Sequence, residues 1–388
     1  MIFKKLGYLL VFLFASWQAS AFSTKAQYAI LVDATTGATL YEKNAYERMT
    51  PSSMGKLMTL YLVFDRLKNG SMKLYDNMLV TPNAWRMNGS KTFLSPNTMV
   101  SVENLLRGVI VQSGNDASVV FAESISGSER DFTDLMNSKA LELGLKNSHF
   151  ANATGLPNRD HYMSAADIAC LSARLIQDFP EYYHYFSEKE FVFNNIKQRN
   201  RNALLHTNGV DGLKTGHTDA GGYGISTSAF KDGRRLIAVV NGLHNEKERN
   251  VEAQKLLQYG FLNFNNVTIA KKNSALGEIP VFLGKVKNIE FGTKKNIIFT
   301  ITIVNKGKTK VTIKHTSVLY APVDRAKKVG EIIVQLYDGK TYNFSLHPLE
   351  GIRKLGFFGK ISAKIKTWVS NFSFKDPKEN EKEQIIMV

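Results

Sequence analysis

Apolar and polar residues alternate in two distinct patterns along the first two thirds of the chain. Residues 28–32 and 39–41 are β-prone runs on either side of a turn-rich stretch, and together they predict a hairpin. From residue 53 to about residue 179, apolar side chains recur every three or four positions, which is typical of helices with a buried face. Strand patterns return between residues 222 and 240, and a last helical pattern covers residues 251–262.

These patterns predict two folded domains. Strands at both ends of a helical region indicate an α+β domain over residues 22–267, in which the terminal strands pair in one antiparallel sheet and helices pack on it. The pattern then changes, because residues 297–304 are dense in β-branched side chains and residues 331–346 resemble two strands joined at Asp338-Gly339. We therefore expect a small all-β sandwich domain over residues 268–350.

The N-terminus has the layout of a secretory signal. Lys4 and Lys5 precede an apolar run over residues 6–17, and Ala19-Ser20-Ala21 offers small residues for cleavage. The apolar run is shorter than the roughly 18–20 residues that a membrane span needs, and an uncleaved anchor is the alternative. Residues 1–21 are therefore predicted to be a signal peptide, and the mature protein is expected to work outside the cytoplasm.

Residues 351–374 predict an amphipathic helix near the C-terminus. Its apolar face comprises Phe358, Ile361, Ile365, Trp368, Val369 and Phe372, and Lys360, Lys364 and Lys366 lie off the centre of that face. A helix this short with three lysines would lie in a membrane interface and not cross the bilayer. Docking of the helix on the β domain is the alternative, because amphipathicity does not distinguish protein from lipid. Residues 375–388 form a charged tail, of which residues 375–384 are expected to be solvated and disordered.

Charge and cysteine content restrict the environment further. The net charge is +16, and an exported protein with this charge is expected to meet anionic membrane and cell wall, with no nucleic-acid partner. Cys170 is the only cysteine, so no intrachain disulfide is possible, and its apolar helical surroundings predict a buried structural thiol. The sequence has no His/Cys ligand cluster and no Gly-rich phosphate loop, so we expect neither a metal nor another cofactor.

Three short motifs occur in the order Ser53-Met54-Gly55-Lys56, Ser113-Gly114-Asn115 and Lys214-Thr215-Gly216. None is specific alone, because residues 228–231 also fit S-x-x-K and residues 95–97 also fit S-x-N. The predicted secondary structure around each match distinguishes the three motifs from these chance matches. Residues 228–231 have a strand pattern, in which side chains three positions apart point to opposite faces, and residues 95–97 have the composition of a turn. Ser53 instead opens a helical pattern that places Lys56 one turn away on the same face.

This arrangement can carry nucleophilic catalysis. A serine hydroxyl needs a base at neutral pH, and a lysine can serve if burial and a neighbouring cation lower its pKa. Lys56 is the candidate base and Lys214 the candidate cation. At the first helical turn, the backbone N–H of Ser53 would also suit an oxyanion site. Ser52, which has no lysine three residues later, is interpreted as a helix-capping residue.

In order and context, the motifs resemble those of serine β-lactamases and penicillin-binding proteins. Longer stretches, residues 111–117, 143–147 with 153–156, and 210–218, are similar to the low-molecular-mass D-alanyl-D-alanine carboxypeptidases, as is the layout of signal, catalytic domain, β domain and amphipathic tail. The resemblance covers nearly the whole chain. It implies a cofactor-free serine carboxypeptidase on the periplasmic side of the inner membrane that trims peptidoglycan stem peptides and is inhibited covalently by β-lactam antibiotics.

The resemblance also implies a role for each matching residue. Ser53 attacks the peptide carbonyl, Lys56 takes its proton, and Ser113 relays a proton to the leaving D-alanine. The substrate-binding residues would be Asn115, Lys214, Thr215, Gly216, His217 and Arg201. Among them, Asn115 would bind the substrate amide, the N–H groups of Ser53 and His217 would form the oxyanion hole, and Thr215 with Arg201 would hold the terminal carboxylate. The stretch between Arg201 and Lys214 is short for the family, so a plain surface arginine is the alternative.

Three other functions stay open at this point. A β-lactamase would use the same acyl-enzyme, and the spacing from Glu190 to Asn194 fits the class A pattern, although residues 191–193 have a strand pattern unsuited to a water-holding loop. A wall-binding protein without turnover would not need the intact Ser53 and Lys56. Endopeptidase action on cross-links is chemically adjacent to carboxypeptidase action.

Overall fold

The computed structural model of the protein describes residues 22–354 and 381–388. The predicted signal peptide and most of the predicted amphipathic helix lie outside these residues. No helix in the described ranges is long and apolar enough to cross a bilayer.

The first domain has strands at both ends and helices between them, as the sequence pattern predicts, and two short strands inside the helical region, Asn77–Leu79 and Met99–Ser101, that were not predicted. In chain order its elements are β1 (Tyr28–Asp33), β2 (Thr39–Lys43), α1 (Lys56–Lys68), β3 (Asn77–Leu79), α2 (Pro82–Arg86), β4 (Met99–Ser101), α3 (Val102–Val111), α4 (Asn115–Ser126), α5 (Glu129–Glu142), α6 (Ala165–Asp178), β5 (Glu190–Phe193), β6 (Ile196–Arg199), β7 (Val210–Thr218), β8 (Gly222–Lys231), β9 (Arg234–Leu243) and α7 (Glu246–Asn263). Short 3-10 turns at Ser52–Gly55, Tyr183–Ser187 and Ala203–His206 connect them.

One antiparallel sheet of five strands, in the order β2-β1-β9-β8-β7, divides this domain. β1 pairs with β9 from Tyr28↔Asn241 to Asp33↔Leu236, which confirms that the terminal strands of the domain pair. Side chains alternate across the sheet: Ile237 and Val239 face the helical core, whereas Ala238 and Val240 pack against α7. Because both faces are covered, β9 has a continuous apolar run in its sequence.

Helix α1 runs through the middle of the helical core. Its residues from Lys56 to Phe64 are all buried, and they pack with α3, α4 and α6. A helix that is apolar on all sides must be enclosed by other elements. This helix therefore gives the residues at its N-terminus, Ser53 and Lys56, a rigid support.

The second domain consists of β10 (Phe264–Ala270), β11 (Gly277–Phe282), β12 (Asn288–Gly292), β13 (Ile297–Thr302), β14 (Lys310–Thr316), β15 (Leu319–Tyr320), β16 (Gly330–Gln335), β17 (Thr341–Pro348) and β18 (Glu381–Met387). Seven of these strands form a sheet in the order β15-β11-β12-β17-β16-β14-β18, and β10 pairs with β13. The rings of Phe299 and Phe344 bring this β10–β13 ribbon against the sheet. The predicted hairpin around Asp338-Gly339 is confirmed by the pairing of β16 with β17.

The expectation of a disordered tail is wrong for residues 381–384. They belong to β18, which pairs with β14 from Lys310↔Met387 to Thr316↔Glu381. The edge of β14 offers a row of backbone N–H and C=O groups, and the β-prone Ile385 and Ile386 favour pairing there. Because the tail is rich in acidic and basic residues, its composition predicted disorder and not this strand.

The prediction of a buried Cys170 is also wrong. The thiol is exposed on α6, although its neighbours Ala169 and Leu171 are buried. Partial desolvation and the Asp167 carboxylate raise the pKa of Cys170, so its thiolate is disfavoured. The apolar run around this residue covers the buried side of α6, and Cys170 lies just off that side.

Candidate active site

Ser53 lies in the 3-10 turn that leads directly into α1. Lys56 is the first residue of α1, and its Nζ lies 2.9 Å from Ser53 Oγ. Ser52 does not cap a helix, contrary to the prediction. It has a positive φ of 51°, and its Oγ shares a 2.8 Å hydrogen bond with Thr218 Oγ1, which ties the turn to the end of β7.

The Lys56 amine is fully enclosed. Its side chain is 0% exposed, and Nζ also donates to Asn115 Oδ1 at 2.7 Å and to the carbonyl oxygen of Thr154. Burial lowers the pKa of Lys56 to about 7, although the Asp116 carboxylate acts in the opposite direction. The lowered pKa makes the neutral amine accessible near neutral pH, and a neutral amine beside Ser53 Oγ can accept the hydroxyl proton.

Ser113 and Asn115 form a second wall where α3 ends and α4 begins. Ser113 has a positive φ of 67° and is 4% exposed, and its Oγ has no hydrogen-bond partner in the described chain. Asn115 is fixed by its Nδ2, which donates to the Asn88 carbonyl at 2.6 Å. A buried hydroxyl without a partner is costly, so the Ser113 Oγ is available to a ligand or a water molecule.

β7 forms the third wall. Lys214 is 1% exposed, and burial, followed by the positive charges of Lys56, Arg201 and Arg249, lowers its pKa well below the usual range. A Cβ built on Gly216 would lie 2.8 Å from the Pro51 carbonyl oxygen, so only glycine lets β7 approach the Ser53 turn this closely. Thr215 is largely buried, whereas His217 is exposed with its ring stacked on Tyr223 at 3.8 Å.

Arg201 and Arg249 place further positive charge at the Lys214 end of this wall. The backbone N–H of Arg201 donates to Val111 at the end of α3, and its side chain is exposed. Arg249, on α7, is 4% exposed and donates to Glu246 and to the Arg201 carbonyl. Arg249 was not predicted from the sequence. Its spacing of three, four and seven residues from the buried Glu252, Ala253 and Leu256 places it on the buried face of α7, and this spacing could have identified it.

The competing motif matches do not join this site. Ser228 Oγ accepts a 2.6 Å hydrogen bond from Arg235, and Glu190 pairs with Lys197 on the exposed β5–β6 hairpin. Within residues 22–354 and 381–388, no group of three or more His, Cys, Asp or Glu side chains could hold a metal ion. The arrangement that can do chemistry is therefore the Ser53–Lys56 pair, with an unpartnered hydroxyl on one side and a cluster of cations on the other.

Comparison with known proteins finds relatives that match both domains of the chain. The D-alanyl-D-alanine carboxypeptidase family, peptidase S11, matches residues 15–245, and the C-terminal domain of penicillin-binding protein 5 matches residues 264–352. The chain is 40% identical over 344 residues to the D-alanyl-D-alanine carboxypeptidase DacA of Haemophilus influenzae, covering 87% of each protein. It is also 40% identical to DacA of Escherichia coli K12, covering 88% of this chain and 87% of the relative.

Solved structures give the same result. Penicillin-binding protein 5 from Haemophilus influenzae superposes with a TM-score of 0.77 at 38% identity, covering 86% of this chain and 99% of that structure. Penicillin-binding protein D2 from Listeria monocytogenes, solved in its ampicillin-bound form, superposes with a TM-score of 0.58 at 28% identity, covering 62% of this chain and 99% of that one. The helical domain and the β domain thus both have known counterparts.

Proposed function

The chain belongs to the peptidase S11 family of D-alanyl-D-alanine carboxypeptidases, and we propose that Ser53 is the nucleophile with which it trims the terminal D-alanine from peptidoglycan pentapeptide stems. The observation that carries this proposal is the 2.9 Å contact between Ser53 Oγ and the buried Lys56 amine. A lysine kept near neutrality beside a serine hydroxyl is a nucleophile with its base in place.

The first half of the reaction forms an ester on Ser53. Lys56 Nζ takes the hydroxyl proton while Ser53 Oγ attacks the carbonyl carbon of the penultimate D-alanine. The negative charge on the carbonyl oxygen is received by the backbone N–H groups of Ser53 and His217. The C–N bond then breaks as the Ser113 hydroxyl gives its proton to the leaving amine of D-alanine and takes a proton in turn from the Lys56 ammonium, which becomes a neutral amine again. Water hydrolyses the ester in the second half and restores Ser53.

The charges near Lys214 would favour a substrate with a free C-terminal carboxylate. Lys214, Arg201 and Arg249 lie close enough together for the charges of the two arginines to lower the pKa of Lys214. The terminal carboxylate of the substrate is the ligand that this cluster complements, and the Thr215 hydroxyl adds a neutral donor. The backbone of Gly216 lets the substrate chain lie along β7, and Asn115 is placed to bind its amide.

The direct test is D-alanine release from diacetyl-Lys-D-Ala-D-Ala by the mature chain, residues 22–388. We expect release and slow turnover of β-lactams, because Glu190 is paired with Lys197 away from Ser53 and supplies no water-activating carboxylate. Rapid turnover of a chromogenic cephalosporin without D-alanine release would establish a β-lactamase instead.

The pH dependence follows from Lys56. The active form has a neutral amine, and the pKa of Lys56 is about 7, so protonation removes the base below that pH. We expect kcat/KM for D-alanine release to rise about tenfold per pH unit up to about pH 7 and then to level. The measurement is a pH–rate profile at constant ionic strength. A flat profile from pH 5 to 8 would mean that Lys56 is not the base.

Gly155 tests how tightly the Ser53 turn is held. It has a φ of +77°, and a Cβ at this position would lie 2.0 Å from the Ser52 carbonyl oxygen and 3.2 Å from Ser53 Cα. We expect Gly155→Ala to lower kcat about 100-fold, because a shift of roughly 1 Å in a reacting group has that effect. Gly144→Ala is the matched control, since its φ is +74° and nothing lies within 4 Å. Equal losses in both variants would show that backbone strain, and not the turn, is responsible.

The location of the enzyme is part of the proposal. We place it on the periplasmic side of the cytoplasmic membrane, exported by residues 1–21 and attached by the amphipathic segment over residues 351–374. The charge distribution supports this, because residues 268–354 carry 16 Lys and Arg against 6 Asp and Glu, whereas residues 22–267 carry 26 against 24. A basic domain next to an amphipathic segment suits an anionic lipid surface.

Membrane attachment can be measured with vesicles containing phosphatidylglycerol. We expect Ile365→Asp with Trp368→Asp to lower vesicle binding of the mature chain at least about tenfold, because both side chains would lose apolar burial. D-alanine release is the control and should be unchanged. Unaltered vesicle binding would favour docking of the segment on the β domain.

A further inference from the structure

A polar cleft of about 410 Å³ lies at the turn between β7 and β8 and takes no part in the steps above. Its charged lining residues are Arg48 and Asp219, and Gln27, Thr50, Asn241 and His244 add polar groups. Asn241 is 1% exposed, and in the described chain its Oδ1 has no hydrogen-bond partner. The volume of the cleft falls within the roughly 300–1,000 Å³ of small-ligand sites, and because its lining is polar where most such sites are apolar, it suits a charged ligand.

The cleft shares a wall with the active site. Thr50 and Gly221 line it, and a Cβ built on Gly221 would lie 2.8 Å from Ser52 Oγ and 2.9 Å from the Thr50 carbonyl oxygen. Ser52 precedes the nucleophile and is bonded to Thr218 at the end of β7. A ligand in the cleft would therefore lie next to the turn that carries Ser53.

The direction of the substrate points to this cleft. If the cations near Thr215 hold the terminal carboxylate, the rest of the stem must leave in the other direction, past His217 and toward Asp219. Four residues of strand from Thr215 to Asp219 span about 13 Å. Two D-alanine residues span about 7 Å, and a long side chain on the third residue adds about 6 Å. The end of that side chain thus reaches the cleft.

The charges of Arg48 and Asp219 indicate which substrate side chain the cleft can bind. Arg48 lies over the ring of Tyr162 at 4.4 Å, and within the described residues it forms no ion pair. Asp219 is exposed and likewise forms none in the part of the chain that the structure covers. The two groups have opposite charges and do not neutralise each other. Such a pair complements a ligand that carries both a carboxylate and an ammonium group.

We infer that this cleft binds the side chain of the third residue of the stem peptide and favours a diamino dicarboxylic acid over lysine; this inference rests on the proposed function. The distal carboxylate pairs with Arg48, and the distal ammonium pairs with Asp219. Lysine offers only the ammonium. The preference arises in the cleft and not at Ser53, so it can be removed without loss of the basal activity.

The test compares two pentapeptides ending in D-Ala-D-Ala, with meso-diaminopimelate or L-lysine as the third residue, on the mature chain. We expect kcat/KM to be at least about fivefold higher for the diaminopimelate peptide, as charge-assisted pairing of a partly exposed group supplies. Arg48→Gln should abolish the difference and leave the lysine peptide unchanged. Asp219→Asn should lower kcat/KM for both peptides. Arg130→Gln, at an exposed position on α5, is the matched control and should change neither.

Equal kcat/KM for the two peptides in the unaltered protein would overturn the inference, as would an equal loss for both in Arg48→Gln. Binding through charge also predicts that the preference shrinks in 0.5 M NaCl, and a salt-independent preference would contradict it. Failure of the proposed function looks different, because neither peptide would then release D-alanine.

Discussion

Replacement of Ser53 by alanine is expected to lower kcat for D-alanine release by at least about 10⁴-fold, because the variant has no nucleophile and only the binding groups remain. The structure around residue 53 should be unchanged in this variant. Lys56 keeps its hydrogen bonds to Asn115 and Thr154, and the turn is held by the Ser52–Thr218 bond. The measurement is coupled detection of free D-alanine, with thermal unfolding to show that the fold is intact.

Ser52→Ala is the matched control for this variant. Ser52 Oγ contacts Thr218 and not Lys56, so its loss should loosen the turn without removing a reacting atom. We expect less than a tenfold decrease in kcat. Retained activity in Ser53→Ala together with lost activity in Ser52→Ala would contradict the assignment of Ser53, because the nucleophile would then be the neighbouring hydroxyl.

Replacement of Lys56 by methionine is expected to lower kcat/KM about 10³-fold. Methionine fills most of the same buried volume but accepts no proton, and general-base catalysis typically contributes 10²- to 10⁴-fold. The variant also removes the donor that Asn115 Oδ1 and the Thr154 carbonyl share. The measurements are D-alanine release and the rate of covalent labelling by a fluorescent penicillin, each as a function of pH.

The pH profile separates a chemical role from a structural one. If Lys56 is the base, the residual activity of Lys56→Met loses the rise toward pH 7, whereas a merely loosened site would keep it. Lys68→Met, at the other end of α1, controls for loss of a lysine on the same helix, and its activity should be unchanged. A full-strength rise in the Lys56 variant would assign the titration to another group.

The burial that lowers the pKa of Lys56 also lowers the free energy of unfolding. The pKa of Lys56 falls from 10.5 to about 7 on folding, so between these values the folded protein binds fewer protons than the unfolded chain. Stability contributed by this group therefore increases as pH rises from about 7 to 10.5, and the full cost is present below pH 7. Lys214, also buried, adds a cost of the same sign. The proposed mechanism uses both lysines, which would account for an arrangement that costs stability.

Local spacing made part of this site predictable. A serine at the start of a helical pattern with a lysine three residues later must bring the two side chains together, and the observed contact is 2.9 Å. The pairing of terminal strands followed from the order of the elements. The first inference depends on residues close together in one element, and the second depends on the tendency of strands in one domain to pair in a single sheet.

Long-range contacts were not predictable in the same way. Arg249 approaches Lys214 from α7, and Thr154 meets Lys56 through a backbone carbonyl that any residue type could supply. The pairing of β18 with β14 likewise depends on backbone groups at a sheet edge, and the charged residues beside it pointed to disorder. Periodicity describes which face of an element is buried, but not which distant element covers it.

The most direct test of the account is active-site titration of the mature chain by a β-lactam, followed by peptide mapping and by the D-alanine release assay on the same sample. We predict one adduct per molecule, located on the peptide that contains Ser53, and loss of D-alanine release in proportion to labelling. An adduct on another residue, or full D-alanine release from fully labelled protein, would contradict the assignment of Ser53 as the nucleophile.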